Sequence, residues 1–556
     1  MEAHPVRRAL RIWLLPLSIL LFTYILLAFG VFYIDTGGEL GGIIELIFHP
    51  NSNTAAELLG NFPEVVTAVL GIAITVVAII VELAANRYTH RITELFVREP
   101  TNLIVMGFFV VTALMSVLVG SVFDLEGDDV TSYAPHFAAL AAIGMLSMSL
   151  LLLLPYFAFV FDFLNPLQIV DRIRRHTIDV IFGRRSAAAK KQEALRGVEQ
   201  LADVGLNAME HKDKAVSMES VDALRRMAFD FQDRRNQLPE EFFRVDGELA
   251  HNPDFVSMSP EVLALVTRRR IWLEMKILRK YQTLYNEALN KERDICYLVA
   301  INTRLIAERA IAERHDELYA LTIKFFNTYL RATINAKDVR TAYNVLNQYR
   351  LLAENVLDVD EGTPAVEIAN YFKYYGLLSF NAGLSFILET AAYDLCALNE
   401  RAFDEKSPAL DSLLRIFLEV DKESENVTQE ASLRGVRKAQ VKLATHFLMA
   451  GEEELAKTIF KDMEDEDPVR LASIRSELLS VDSPEFWEIS DRGWNFDYLS
   501  PRQKEQLHVF FGWFGILPEL ADESISGGAI PQPDRPSSLP PPPPLSEEDR
   551  QLAQKG

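Results

Sequence analysis

Between Glu64 and Gly120 the chain runs through an apolar stretch, a short basic loop and a second apolar stretch, and no other feature limits its fold so tightly. Each apolar stretch has about the 20 residues that a helix rising 1.5 Å per residue needs to cross a hydrocarbon core of about 30 Å. Inside lipid every backbone N–H and C=O must find an internal partner, so such stretches are read as helices. The pattern recurs at Ile12–Ile34, interrupted by Ser18, Thr23 and Tyr24, and again at 137–161. Four spans are expected, at about 12–34, 65–85, 103–123 and 137–161.

The loops set an orientation. Residues 35–63 and 124–134 carry no Lys or Arg, and the second of these holds Asp124, Glu126, Asp128 and Asp129. Arg7, Arg8 and Arg11, the middle loop's Arg87, Arg91 and Arg98, and the run Arg172, Arg174, Arg175, Arg184, Arg185, Lys190 and Lys191 all fall on the opposite side. Because positively charged loops stay in the cytoplasm, both termini of this multi-pass protein are expected there. Segment 35–63 reads as a surface loop, with an interfacial or re-entrant helix as the alternative.

The run Leu83-Ala-Ala-Asn-Arg-Tyr-Thr-His-Arg91, followed by Arg98, Glu99 and Asn102 ahead of an apolar span, resembles the second-to-third-span signature of a widespread family of predicted bacterial membrane proteins. That family typically shows Leu-Ala-Ser-Ser-Gln-Phe-Ser-Pro-Arg there, and it is a domain of unknown function. Arg87 and His90 stand where the family tends to have Gln and Pro. The resemblance covers about residues 10–180 and implies a four-span layout without naming a reaction.

Within the spans, Gly71, Thr75, Ala78, Glu82 and Asn86 recur at three- and four-residue steps, and Thr112, Ser116 and Gly120 repeat the pattern. Small residues on one face allow close helix approach, so Gly71, Thr75, Ala78, Thr112, Ser116 and Gly120 are expected to pack. Glu82 and Asp162 are ionisable residues at span ends and, with Asn86, Arg87, Arg91 and Arg98, make up the candidate intramembrane or interface set. Arg91 and Arg98 are expected to share one helical face, with Glu94 between them, and to meet acidic groups of the domain that follows.

Beyond Asn165-Pro166 the composition changes from apolar to charged. Residues 167–181 read as a basic amphipathic helix along the anionic inner surface, within a juxtamembrane helical connector at 166–255. From Glu261 to Glu361 there is neither Gly nor Pro, which predicts long helices opened by Ser259-Pro260. One apolar face gathers Val262, Leu265, Val266, Leu273, Ile277, Tyr281, Leu284, Ala288 and Ile295. Segment 434–467 resembles a single tetratricopeptide hairpin, and residues 526–556, with five consecutive prolines, read as a disordered Pro-rich acidic tail. The expected class is all-α: a four-helix transmembrane domain at 1–165, then a large cytoplasmic α-helical domain, bundle or solenoid-like, at 256–525.

A net charge of −22 argues against a general nucleic-acid partner, which needs a basic face. Two cysteines, Cys296 and Cys396, supply no disulfide framework. No phosphate loop, dinucleotide fingerprint or nucleophile elbow occurs, so no catalytic, metal or cofactor-binding residue is assigned, no cofactor is expected and the chain is not read as an enzyme. The leading expectation is a self-associating, membrane-anchored interaction or scaffold protein, whose partners are the lipid bilayer, further copies of itself and a cytoplasmic protein. The alternative is an ion channel or transporter formed by an oligomer.

Overall fold

The computed structural model describes residues 52–87, 99–124, 136–420, 430–486 and 495–516, with isolated positions beside them. Among these, every regular element is helical. They divide into two compact units, Met1–Leu413 and Leu414–Gly556.

The first unit opens with α1 (Ser52–Arg87), α2 (Pro100–Asp124) and α3 (His136–Phe163), which pack on one another. Three stretches within them are long and apolar enough to cross a membrane: Glu64–Asn86, Pro100–Leu118 and Ala141–Phe163. The remaining expected span, 12–34, lies outside the described residues but for a few isolated positions. Residues 52–63, expected within a loop, instead extend α1 ahead of its apolar stretch. The run Thr54-Ala-Ala-Glu-Leu-Leu consists mostly of good helix formers, and a helix once nucleated propagates through such residues at little cost. The faces that these helices turn to each other carry Val66, Ala73, Val77 and Val81 on α1, Phe109 and Thr112 on α2, and Ala142 and Ser149 on α3. Their outer faces expose Ile72, Ile104, Leu114 and Leu154, each by more than 60 %.

Next come α4 (Pro166–Phe182), α5 (Ala187–Glu210) and α6 (Lys214–Arg234), three helices that pack on one another. The apolar face of α4, with Ile169, Val170, Ile173 and Ile181, is buried. Helices α5 and α6 take up this face, so it is not laid on a lipid surface. At Gly197 of α5 a Cβ would come within 2.8 Å of three atoms of Thr177 on α4, so only glycine permits this approach. The stretch 166–255 belongs to the first unit. Helix α5 packs on the helix Trp272–Ala288, and α6 on the helix Arg293–Ala312. One-turn helices α7 (Glu240–Phe243) and α8 (Gly247–Ala250) follow.

The glycine- and proline-free segment does not form uninterrupted long helices. It folds into α9 (Pro260–Arg269), α10 (Trp272–Ala288), α11 (Arg293–Ala312), α12 (Asp316–Asn335) and α13 (Val339–Asn355). Ser259 caps α9 as expected, accepting the Val262 N–H at 3.4 Å. The chain turns at Arg270, Asn290, Arg314 and Lys337, all left-handed with φ between 53° and 62°. A non-glycine residue there costs roughly 1–2 kcal/mol. Repeated closing bonds offset that cost. Ile271, His315 and Asp338 donate their N–H back to Val266, Ala310 and Thr333 at 3.3, 2.7 and 3.1 Å, the pattern of a Schellman closure. His315 then caps α12 by accepting the Leu318 N–H on Nδ1, and Asp338 caps α13 by accepting from Thr341.

Helices α14 (Thr363–Asn381) and α15 (Ser385–Asp404) continue the series. From α10 to α15 each helix packs on the next and on the next but one. A ladder of this kind is the packing that helical solenoids use. Its core is aromatic: Tyr285 stacks on Tyr329 at 4.7 Å, and Phe326 on Tyr349 at 4.7 Å.

Helix α16 (Leu410–Leu418) straddles the division between the units. The second unit contains α17 (Glu430–Met449), α18 (Glu453–Asp462), α19 (Pro468–Ser480) and α20 (Pro501–Gly512). Helices α17 and α18 form a hairpin through Gly451 at φ +84°, with Ala444, Phe447 and Ala456 buried. The acidic tail, 526–556, lies outside the described residues.

Candidate functional site

At the end of the last span, polar side chains from several elements of the first unit meet. Phe163 ends α3 with an orphan carbonyl, as every helix C-terminus does. Two residues later Asn165 opens α4 by accepting the Leu167 N–H at 3.1 Å, with Pro166 in the first turn. One and a half turns into α4, Arg172 reaches back: its Nη1 donates to the Phe163 carbonyl at 3.3 Å, and its guanidinium lies 3.9 Å from the centre of the Phe163 ring. A cation at a helix C-terminus is favoured by the helix dipole and over an aromatic face by the ring quadrupole. Burial lowers the affinity of this guanidinium for its proton, and the charges of Glu99 and Asp162 oppose that.

Around this contact the neighbouring elements lock together. Gln168 Nε2 donates to Asp162 Oδ1 at 2.8 Å. The Phe163 ring meets Phe96 edge-on at 5.3 Å. Asn102, at the start of α2, donates to the Phe96 carbonyl at 3.3 Å and accepts the Tyr156 hydroxyl proton at 2.8 Å. Deeper in the spans, Ser149 donates to Thr112 at 3.2 Å. Residues from the loop between α1 and α2, from α3 and from the first helix after it thus meet in one polar latch. Residues 10–228 match the model of the family described as "Predicted membrane protein (DUF2254)". The match holds every latch residue and runs on into α6, so the latch and the first helices after the membrane belong to one matched segment. With three apolar helices long enough to cross, this is a membrane protein, and the family carries no assigned activity.

No curated protein matches the chain. Among solved structures it is similar to a "Circular tandem repeat protein with novel repeat topology and enhanced subunit contact surfaces", 14% identical over 85% of this chain and 98% of that one, with a TM-score of 0.24. A superposition that poor informs neither fold nor function.

The candidate residues read from the sequence are placed unequally. Asp162 sits in the latch. Glu82 and Asn86 are exposed near the end of α1, the side chain of Arg87 lies outside the described residues, and so do Arg91 and Arg98. Thr112 and Ser116 are buried as a packing face requires. Gly71, Thr75 and Ala78 are exposed instead, and a Cβ at Gly71 meets nothing within 4 Å, so among the described residues the expected packing at this stripe is not realised. Val66, Ala73, Val77 and Val81 occupy the inner face of α1 instead, where van der Waals packing against α2 and α3 holds them. The packing at Gly120 is outside the described residues. Arg172 and Tyr156 were not singled out from the sequence. The signals available were an arginine nine residues beyond the end of a span and a tyrosine inside a mostly apolar one.

Proposed function

We propose that this protein is a self-associating, membrane-anchored interaction or scaffold protein of a bacterial inner membrane, with both termini and the helical solenoid in the cytoplasm. The observation that carries this reading is the latch. It joins the last span to α4 through two residues of chain and a set of side-chain bonds, and α5 and α6, packed on α4, carry the first solenoid helices, so a partner bound to the solenoid would be held close to the membrane. Solenoids present extended surfaces to proteins, and here Tyr374 and Phe386 stand exposed, with Tyr343 against Phe386 and Arg331 against Tyr374. The exposed Gly71, Thr75 and Ala78 offer a second copy a face for close helix packing.

Cross-linking in native membranes tests this. Adducts of two or more copies, weakened by Gly71→Leu with Ala78→Leu, are the expected result. Strictly monomeric protein with no co-purifying partner would sink the proposal. The alternative, a channel or transporter assembled from several copies, draws on Glu82 and the acids at 124–129. It requires reconstituted protein to pass ions with a conductance or selectivity that Glu82→Gln changes.

A further inference from the structure

Glu274, in the first turn of α10, is only 1 % exposed, and its carboxyl group is half partnered. Its Oε1 accepts from Nη1 of Arg235, just past the end of α6, at 3.3 Å, and among the described residues its Oε2 has no partner. Interiors rarely leave a carboxylate oxygen so, because a buried charge is costly unless it is paired and hydrogen-bonded. Burial pushes the Glu274 carboxyl above the ordinary carboxylate range, and the charge of Arg235 opposes this without cancelling it.

The same guanidinium reaches the end of α9. Arg235 Nη2 donates at 2.7 Å to the carbonyl of Arg270, the left-handed residue that follows α9. Helix α9 is weakly seated: of its residues Val266 alone is buried, and Val262 is 42 % exposed. Its other ties include Thr267, which accepts the Val245 N–H at 3.0 Å, and the ion pairs of Arg269 with Glu317 at 2.7 Å and of Arg270 with Glu240 at 3.4 Å. Segments that bury so little open ahead of the core around them.

We propose that α9 and its closing turn at Arg270 form a flap governed by the proton on Glu274: closed, the carboxyl is dry and holds its proton, and open, it is hydrated and ionised. Opening at Arg270 frees one arm of Arg235 and the backbone next to the first turn of α10, which lets water reach Oε2. In the open state the carboxyl titrates at about 4.3, so the closed state keeps its proton to a higher pH. Opening therefore becomes easier as pH rises, by up to about tenfold per pH unit.

The charged groups around Glu274 act with the opposite sign or reinforce it. Glu240 of α7 and Glu317 of α12 hold Arg270 and Arg269 as carboxylates and let go when protonated. His315, in the turn from α11 to α12, accepts the Leu318 N–H on Nδ1 and loses that bond on protonation, which burial and Arg235 push to lower pH. Glu313, in the same turn and bound to Arg309, disfavours a second negative charge at Glu274. Lys276, two residues further along α10, is held by Glu199 of α5 and by Asp254.

Hydrogen exchange on the full-length protein in nanodiscs of phosphatidylethanolamine and phosphatidylglycerol tests this, with each rate divided by the intrinsic rate at that pH. Protection of 261–270 is expected to fall about tenfold between about pH 5 and 8, while that of 322–334 in α12 stays level. Glu274→Gln keeps the shape of the side chain and cannot ionise, so protection of 261–270 in that variant is expected to stay level as well. The pH series of the unaltered protein stands whether or not the variant folds. Level protection there overturns the proposal, as does a fall that Glu274→Gln leaves in place. Protection lost toward acid overturns it too, since Glu240, Glu317 or His315 then governs the flap.

Discussion

Helices α2 and α11 are alike in kind and opposite in design. In α2 the outward residues Ile104, Val111 and Leu114 are apolar and more than half exposed, and its few buried polar groups, Asn102, Thr112 and Ser116, face its neighbours. In α11 the buried side is Ile295, Cys296, Val299, Ile306 and Ala307, and the outer positions include Arg304 paired with Glu308 and Arg309 with Glu313. A helix in lipid gains nothing from hiding leucine and gains from hiding serine, whereas a helix in water does the reverse. The latch at Phe163 and Arg172 is the boundary between the two regimes. There a polar network has to serve a helix end that belongs to both.

The sharpest way to break this comparison is to truncate one large residue on each side. Trp272 is fully buried and donates to the Phe242 carbonyl at 2.9 Å. Trp272→Ala is expected to cost about 3–5 kcal/mol in denaturant unfolding of the solenoid, whereas Ile104→Ala, on the lipid-facing side, costs under about 0.5 kcal/mol in the same titration. Equal losses would mean that Ile104 is packed against protein.

A second test uses charge. Lys276 is fully buried and binds Glu199 at 2.7 Å, Asn252 at 2.8 Å and Asp254. Burial acts to raise both carboxyls, but the bonds and charge of Lys276, helped by Lys280, overcome it and hold both below the ordinary carboxylate range. Because the folded values are depressed, the stabilisation is complete above the unfolded value, about pH 4, and is lost as pH falls through the folded ones. Lys276→Met is therefore expected to cost about 3 kcal/mol at pH 7, and the gap to the unaltered protein should narrow on acidification, as followed by unfolding at pH 7, 5 and 3. A gap that widens below pH 5 contradicts the assignment.

The latch itself is a smaller effect. Arg172→Met removes the donor to the Phe163 carbonyl and is expected to cost about 1–2 kcal/mol, read as faster protease cleavage between 164 and 183 without loss of membrane extraction behaviour. Unchanged cleavage would show that the solenoid is held to the spans by other contacts. Smallest is Tyr156→Phe, which leaves Asn102 Oδ1 without its donor and is expected to lower thermal stability in detergent by about 1 kcal/mol. A neutral result there would mean that another group reaches Asn102.

Parts of this were legible in the residues. Apolar length marked out the helices over 65–85, 103–123 and 137–161, and Ser259-Pro260 marked a helix start that the structure keeps. The turns at Arg270, Asn290, Arg314 and Lys337 were hidden because the usual punctuation, Gly or Pro, is missing. Only the closing bonds to Val266, Ala310 and Thr333 make arginine and lysine tolerable there.

What the sequence by itself determined is the chain's solvent: runs of apolar residues have one stable place, and the net charge and helix formers after Asn165 have another. The tertiary structure decided which residues meet. Helical periodicity says that Gly71, Thr75 and Ala78 share a face, but not what lies opposite it, and here the neighbouring helices take the valine face instead. It likewise gives no sign that Arg172 would curl back onto Phe163, or that α10 to α15 would stack each on the next but one. Those are contacts between segments distant in sequence, fixed by which surfaces fit once the helices exist, and no local propensity records them.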